Sequence, residues 1–350
     1  MYNNKLYADG VYGMLKVRWV LKLETPLVIR NGKFIHYKSR EKANSKNRGL
    51  GIEIGWSKST DKDKPDVAAL HYGYEVRDGK VQAYHFVPAS GVRGAFRSWV
   101  IDHLVHPEYR QGITPKKKEN DEAVDKAQAA LYVSAVNAAL EDRSHGYQLV
   151  ASLFGLAAAS GYEKEMAENT GRLRVETERF QSEKIEPIEA NGIVSRGNAG
   201  PGNAKREMVV RNPVDRVTHA SKDGGLHQFL QFCKGETFAV TLSVRNPTDS
   251  DLGLLSLWRR EMEDGLLRIG ALSSIGRGRV CVEKETCQLW IRPGATGVSM
   301  QRFRVVADEK RQQDVLAGIW QEYELAEESM AEFESALLEH VGGNHGRPLS

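Results

Sequence analysis

Two segments rich in glycine and arginine have the composition to hold a phosphate group. The first is Ser90-Gly91-Val92-Arg93-Gly94-Ala95-Phe96-Arg97. Pro88 ends an extended piece, Ser90 is placed as the N-cap, and Val92, Phe96, Val100 and Leu104 recur on one helical face. A helix start presents unpaired backbone N–H groups and partial positive charge. Gly91 and Gly94 remove Cβ bulk, so an anion can come close, and Arg93 and Arg97 add formal charge. The same residues also suit ordinary capping and close helix–strand packing. The second segment, IGALSSIGRGR over residues 269–279, offers Gly270, Gly276 and Gly278 for positive φ. Ser273 and Ser274 supply hydroxyls, and Arg277 and Arg279 supply charge. A tight turn between a helix and a strand is the competing reading.

Acid–base and metal chemistry has fewer candidates. Asp66 closes the run DKDKPD after Asp61 and Asp63, and an aspartate there can hold Mg2+ or orient an attacking group. The run is equally a solvated turn. His71 and His85 could form a general acid–base pair, although a lone His at a strand end also serves structure or ligand contact. The sequence contains no HExxH, no Cys/His cluster and no triad spacing, which argues against zinc and serine chemistry. Cys233, Cys281 and Cys287 lack CxxC spacing and cannot all pair with one another, so free thiols in a reducing cytoplasm are expected.

The elements that must position these groups come from a chain of 350 residues, 41% apolar and 27% charged. That composition excludes collagen-like, mucin-like and wholly disordered chains. No run approaches eighteen apolar residues, so no transmembrane helix is expected, and the N-terminus lacks the layout of a signal peptide. The net charge of +3 divides unevenly: residues 292–350 hold 6 basic against 10 acidic side chains, so the body is basic and the tail acidic.

Leu15, Val17, Trp19, Leu21 and Leu23 alternate with Lys16, Arg18, Val20 and Lys22, a period-two strand with a largely basic second face. Lys16 and Arg18 are therefore either solvated edge residues or phosphate contacts. Residues 33–64 read as a long polar loop, and 107–145 as a Lys-rich insertion with a helical pattern near 123–141. Residues 76–81 read as strand broken by the turn Asp78-Gly79. A further helical pattern lies around LVASLFGLAAA. Strands follow at 171–180, 237–245 and 280–283, with an amphipathic helix at 252–267. Leu316, Ile319, Tyr323, Ala326, Met330, Phe333, Leu337 and Val341 predict one long amphipathic helix over about 308–340. The β–α–β–insertion–β–α–β order fits a ferredoxin-like (RRM-like) α+β unit, an order that does not by itself give function.

Four segments together resemble the RAMP superfamily (repeat-associated mysterious proteins) of CRISPR-associated proteins, most closely its type III backbone subunits. They are KLETPLVIRNG (22–32), VPASGVRGAFR (87–97), LFG (153–155) with GRLRVET (171–177), and VRNPVDRVTHASKDGGLHQFLQFCKGETFAVTL (210–242) with IGALSSIGRGRVCVE (269–283). Val28 and Arg30-Asn31-Gly32 stand where the family usually has a His and a Gly pair. The resemblance implies a RAMP RNA-binding domain over 1–291, with insertions 33–70 and 107–145; it does not cover residues 292–350, which read as an acidic helical C-terminal extension.

It further implies a "thumb" β-hairpin at about 187–235 that displaces one guide–target base pair in every six. Arg216 would hold a phosphate there, with Thr218 and His219 wedging or stacking. Lys16, Arg18, Ser90, Arg93, Arg97, Ser273, Ser274, Arg277 and Arg279 would face RNA. The implied partners are CRISPR guide RNA, complementary target RNA and other subunits, including copies or paralogues of the chain. Backbone subunits that cut RNA carry an aspartate before the short strand that leads to the Pro-x-Ser motif. Tyr72 aligns with that place here, so Asp66 is the candidate catalyst and Mg2+ ligand, with His71 beside it. A guide-processing, His-based endoribonuclease and a non-cutting capping subunit are the alternatives.

Overall fold

A computed structural model describes residues 10–38, 51–55, 66–77, 79–105, 147–155, 170–181, 186–187, 206–211, 227–294, 297–305, 320–325 and 330–341. In chain order the elements are β1 (Gly13–Leu23), β2 (Arg30–Lys38), β3 (Gly51–Gly55), β4 (Asp66–Leu70), β5 (Tyr72–Arg77), β6 (Lys80–His85), α1 (Ala89–Leu104), α2 (Tyr147–Phe154), β7 (Leu173–Thr177), β8 (Glu186–Pro187), β9 (Arg206–Arg211), β10 (His227–Phe232), β11 (Thr237–Arg245), α3 (Asp249–Glu263), β12 (Val280–Ile291), β13 (Phe303–Val305), β14 (Gln321–Leu325) and α4 (Glu334–His340).

The alternation in β1 sets the frame. Leu15, Val17, Trp19, Leu21 and Leu23 are fully buried, each adding about 1.5–3 kcal/mol by leaving water. β1 pairs antiparallel with β11 on one side and β12 on the other, and β7 pairs antiparallel with β11. The chain order β1-α1-β7-β11-α3-β12 and the spatial order β12-β1-β11-β7 are those of a ferredoxin-like fold. Both helices pack on the face that buries Trp19. Phe96 of α1 meets Trp19 edge-on at 6.1 Å and stacks on Trp258 of α3 at 4.5 Å.

A buried ion pair fixes α3 against β7. Arg172 donates to both Asp251 carboxylate oxygens, at 2.7 and 2.9 Å, and also to Ser152 and the Asn246 carbonyl. Asp251 closes a capping box with Thr248 as well. One carboxylate thus caps α3 and binds the guanidinium at the start of β7. The loop that leaves α3 inherits this placement.

Three expectations change. Residues 33–64 are not one polar loop: β2 and β3 pair antiparallel, Ile35 opposite Ile54 and Tyr37 opposite Ile52, and β4 follows on the other side of β2. The β-forming residues Phe34, Ile35, Tyr37, Ile52 and Ile54 outweigh the high Lys and Arg content. These strands continue into β10 and β9, giving a five-stranded sheet, β3-β2-β4-β10-β9.

The tail is not one helix either. β14 pairs with β12 from Gln288 to Ile291, and β13 pairs with β14, so the tail extends the main sheet. Pairing along the 12-residue β12, longer than the expected 280–283, takes Tyr323 out of the helical stripe. Among the described residues of the tail, only Glu334–His340 is α-helical, and it docks on α3 with Phe333, Leu337 and Val341 buried. Gly253 makes that possible, since a Cβ there would lie 2.3 Å from the Phe333 carbonyl oxygen. Finally, Pro88 rather than Ser90 is the N-cap of α1; its φ of −67° and ψ of 135° enter the helix without a side-chain cap.

β5 and β6 form an antiparallel hairpin, Arg77 opposite Lys80, with Gly79 in its turn; Asp78, the other residue of the predicted turn, lies outside the described residues. No helix among the described residues is long and apolar enough to cross a membrane.

Candidate nucleic-acid interface

The glycine-rich loop after α3 is anchored on the β1–β2 connection. The Ile269 amide donates to the Gly278 carbonyl and the Gly278 amide to the Pro26 carbonyl, both at 2.9 Å; the Ala271 amide donates to the Val28 carbonyl at 2.8 Å. Two glycines permit this approach. A Cβ on Gly278 would lie 2.0 Å from the Ile269 carbonyl oxygen, and one on Gly270 2.6 Å from the Val28 oxygen. Between them runs an exposed 3-10 turn, Ser273–Ile275, entered through Leu272 at φ 64°. Among the described residues, no backbone carbonyl accepts from the amides of Leu272, Ser273 or Ser274. Left-handed Leu272 followed by right-handed Ser273 is the backbone pattern of an anion-binding nest. Gly270 and Gly278 make the tight turn, and Leu272–Ser274 are the residues on which the expectation of an anion-holding loop rests.

The charges around this loop are not equivalent. Arg277 donates from Nε to the Gln231 side chain at 2.7 Å and lies over the Phe229 ring. Arg268 donates to the Gly265 and Ser273 carbonyls. Neither pairs with a carboxylate among the described residues. Arg279 does: it pairs with Glu24 at 2.5 Å and donates to the Glu263 carbonyl, tying the end of α3 to the end of β1.

On the open sheet face Lys16 and Arg18 also differ. Arg18 forms a two-pronged pair with Glu178, at 3.0 Å twice, and holds that carboxyl below its ordinary range. Lys22 pairs with Glu283 through one contact at 2.8 Å. Lys16, half-exposed between Gln288 and Ser243, has no described ion-pair partner. The strand that reads as a basic face is thus largely neutralised by glutamates from β7 onward, a distance in sequence no local pattern reveals.

At the start of α1, Ser90, Gly94 and Arg97 are exposed, and a Cβ on Gly94 would meet nothing within 4 Å. That face is open to a ligand. Arg93 is turned inward instead, donating to the Phe154 carbonyl at 2.5 Å and lying over the Phe154 ring.

Asp66 and His71 do not share a site. Asp66 opens β4 and His71 follows its end, so at about 3.3 Å per residue they stand roughly 16 Å apart. The His71 carbonyl faces His85 Nδ1 at 3.0 Å, so that nitrogen carries the proton. Burial drives the His85 pKa down to about 3 and lowers that of His71 as well. His85 is a neutral structural residue, edge-on to Phe232, and the two do not make an acid–base pair.

Asp66 has other neighbours. It is opposite His36 on β2, and since Val67 is level with Gln228, Asp66 is level with His227, which is itself opposite Arg211. His36, Asp66, His227 and Arg211 occupy one row of the five-stranded sheet, at the end where β9 and β10 lead into and out of residues 212–226. Among the described residues no three His, Cys, Asp or Glu are grouped to hold a metal.

Arg216, Thr218 and His219 lie outside the described residues, as do Asp61, Asp63 and the 107–145 insertion. The antiparallel β9–β10 pair, Arg211 opposite His227, supplies the base of the hairpin expected there. Sequence reasoning missed Arg30, Phe229 and Gln231. The alternation of His227, Phe229 and Gln231 within HQFLQF was the available signal.

No curated protein matches the chain. The family model described as RAMP superfamily matches residues 20–281, the span from β1 to the first residues of β12. That span contains the ferredoxin-like core, the hairpin base and the glycine-rich loop described above, and on it this chain belongs to the RAMP superfamily.

Proposed function

We propose that the chain is a guide-RNA-binding backbone subunit of a type III CRISPR interference complex, stacked with copies or paralogues of itself along the guide. RAMP proteins bind CRISPR RNA and act within multi-subunit complexes. One observation carries the finer reading. The β9–β10 hairpin base and the glycine-rich loop meet on the ferredoxin-like frame, with Arg277 and Arg268 uncommitted to any described carboxylate. A backbone subunit needs both features at one edge: cations for the guide's phosphates and a projecting hairpin to set the six-nucleotide repeat.

Cleavage of complementary RNA is assigned to Asp66 within this proposal. Its row lies at the hairpin end of the sheet, where a displaced nucleotide would sit. Glu53, opposite His36 on β3, is the second carboxylate of that row but stands two strands, about 10 Å, from Asp66, so Mg2+ at Asp66 would take its other oxygen ligands from RNA phosphates and water. Bound Mg2+ supplies charge stabilisation for the departing oxygen. Asp66 would hold the ion, and Arg211 would add positive charge at the same level.

The test is single-turnover cleavage of target RNA by the assembled complex with Mg2+. Products spaced by six nucleotides that disappear with Asp66→Asn support the assignment. Products that survive the change place catalysis elsewhere. Absence of products from the unaltered complex makes the chain a non-cutting subunit.

A further inference from the structure

Two arginines from separate segments close on one buried ring. Arg30, the first residue of β2, and Arg277, in the glycine-rich loop, each place the guanidinium carbon 5.5 Å from the centroid of Phe229. The two cations are therefore held within twice that distance of each other. Neither pairs with a carboxylate among the described residues. Arg277 is also aimed: its Nε donates to Gln231 Oε1 at 2.7 Å, and the Gln231 amide nitrogen donates to the Glu207 carboxylate. That chain occupies Nε and leaves both terminal nitrogens of the guanidinium without a described partner.

Phe229 is 1% exposed, so its ring is not open to a stacking base. Beside the ring stand the N–H donors of two guanidinium groups that no described carboxylate neutralises. Such donors match the paired oxygens of a phosphate in a way that a base edge or an apolar side chain does not. Arg30, at the surface, and Arg277 come from loops bridged to each other by Val28 and Ala271. The hairpin strand β10 contributes the ring that both approach.

We propose that Arg30 and Arg277 form one clamp that takes a single phosphodiester of bound RNA, with both guanidinium groups held against Phe229 and Gln231–Glu207 setting the direction of Arg277. The proposal rests on the RNA-binding reading above and adds to it a defined subsite with a second cation. It also gives RNA a route to couple three elements, since filling the clamp would pull β2, the hairpin strand and the glycine-rich loop onto one group.

The experiment measures binding of the purified full chain to a labelled single-stranded RNA of mixed sequence across a salt series. For single strands, each neutralised phosphate contributes about 0.7 to the slope of log affinity against log salt. The variants are Arg30→Gln, Arg277→Gln, the double change, and Arg260→Gln as a control on α3, whose charge is paired with Glu334. Urea midpoints confirm that each variant folds.

One shared phosphate predicts that the double change flattens the slope by about 0.7, no more than one contact's worth. The control leaves the slope unchanged. A double-variant slope equal to that of the unaltered chain refutes the clamp while leaving RNA binding intact. A fall of about 1.4 refutes it differently, by showing two independent phosphate contacts. If the unaltered chain shows no salt-dependent RNA binding, the RNA-binding reading fails first and the clamp with it.

Discussion

Replacing Gly278 by alanine separates the two roles assigned to the glycine-rich loop. The residue has φ +79°, and a Cβ would lie 2.0 Å from the Ile269 carbonyl oxygen, a backbone atom that cannot swing aside. The left-handed conformation costs an L-residue about 1–2 kcal/mol. Relief of the clash must displace the loop, which breaks the bonds from Gly278 to Pro26 and from Ile269 to Gly278, both 2.9 Å. At about 1 kcal/mol each, the total destabilisation is about 3–4 kcal/mol.

Gly276, two residues earlier, is the internal comparison. Its φ is +85°, but the nearest atom to an added Cβ is an Arg268 guanidinium nitrogen 3.9 Å away. Gly276→Ala therefore carries the conformational cost alone, about 1–2 kcal/mol. Urea denaturation followed by circular dichroism gives both values. Anisotropy with labelled RNA gives the functional consequence. Gly278→Ala shifts Arg277 off Phe229 and lowers affinity by about tenfold or more, as loss of a phosphate contact does. Gly276→Ala keeps Arg277 in place and stays close to the unaltered chain. Equal stability of the two variants would refute the close-approach argument.

Two further outcomes follow from buried groups. Arg172→Met leaves Asp251 buried without its cation and destabilises the fold by about 3–5 kcal/mol, measured by the urea midpoint; a loss under about 1 kcal/mol would contradict the clamp between β7 and α3. His85 stays neutral in the fold, with its pKa at about 3 against the ordinary 6.5. The unfolded chain takes up the proton first, so stability is full above pH 6.5 and falls as the pH drops toward 3, by up to about 1.4 kcal/mol per unit. His85→Gln removes that component of the slope, and an unaltered pH profile in the variant would count against it.

The ferredoxin-like core was legible because its strands are half-buried: β1 and β11 declare themselves by period two, and β7 by its own short alternation. Period-two signals failed where charge masked them. β2 and β3 looked like a basic loop, and β12 looked short because Glu283, Lys284, Glu285 and Thr286 interrupt its apolar pattern. The tail misled in the opposite sense. Its spacing of three and four was real at Phe333, Leu337 and Val341, while Tyr323 is taken by pairing with Leu289.

Among the site residues, sequence could name the charges but not their partners. Arg18, Arg277 and Arg279 read alike in one dimension. Glu178, Gln231 and Glu24, distant in sequence from the arginines they meet, decide which cation remains for a ligand.

The central claim is that this chain holds guide RNA. The most direct measurement is to purify the chain at low salt, where phosphate contacts are strongest, then extract, size and sequence any nucleic acid that comes with it. The account predicts co-purified RNA carrying CRISPR repeat sequence, released as salt rises. Protein recovered free of RNA at low salt, or holding only random cellular RNA that CRISPR RNA fails to displace, would contradict it.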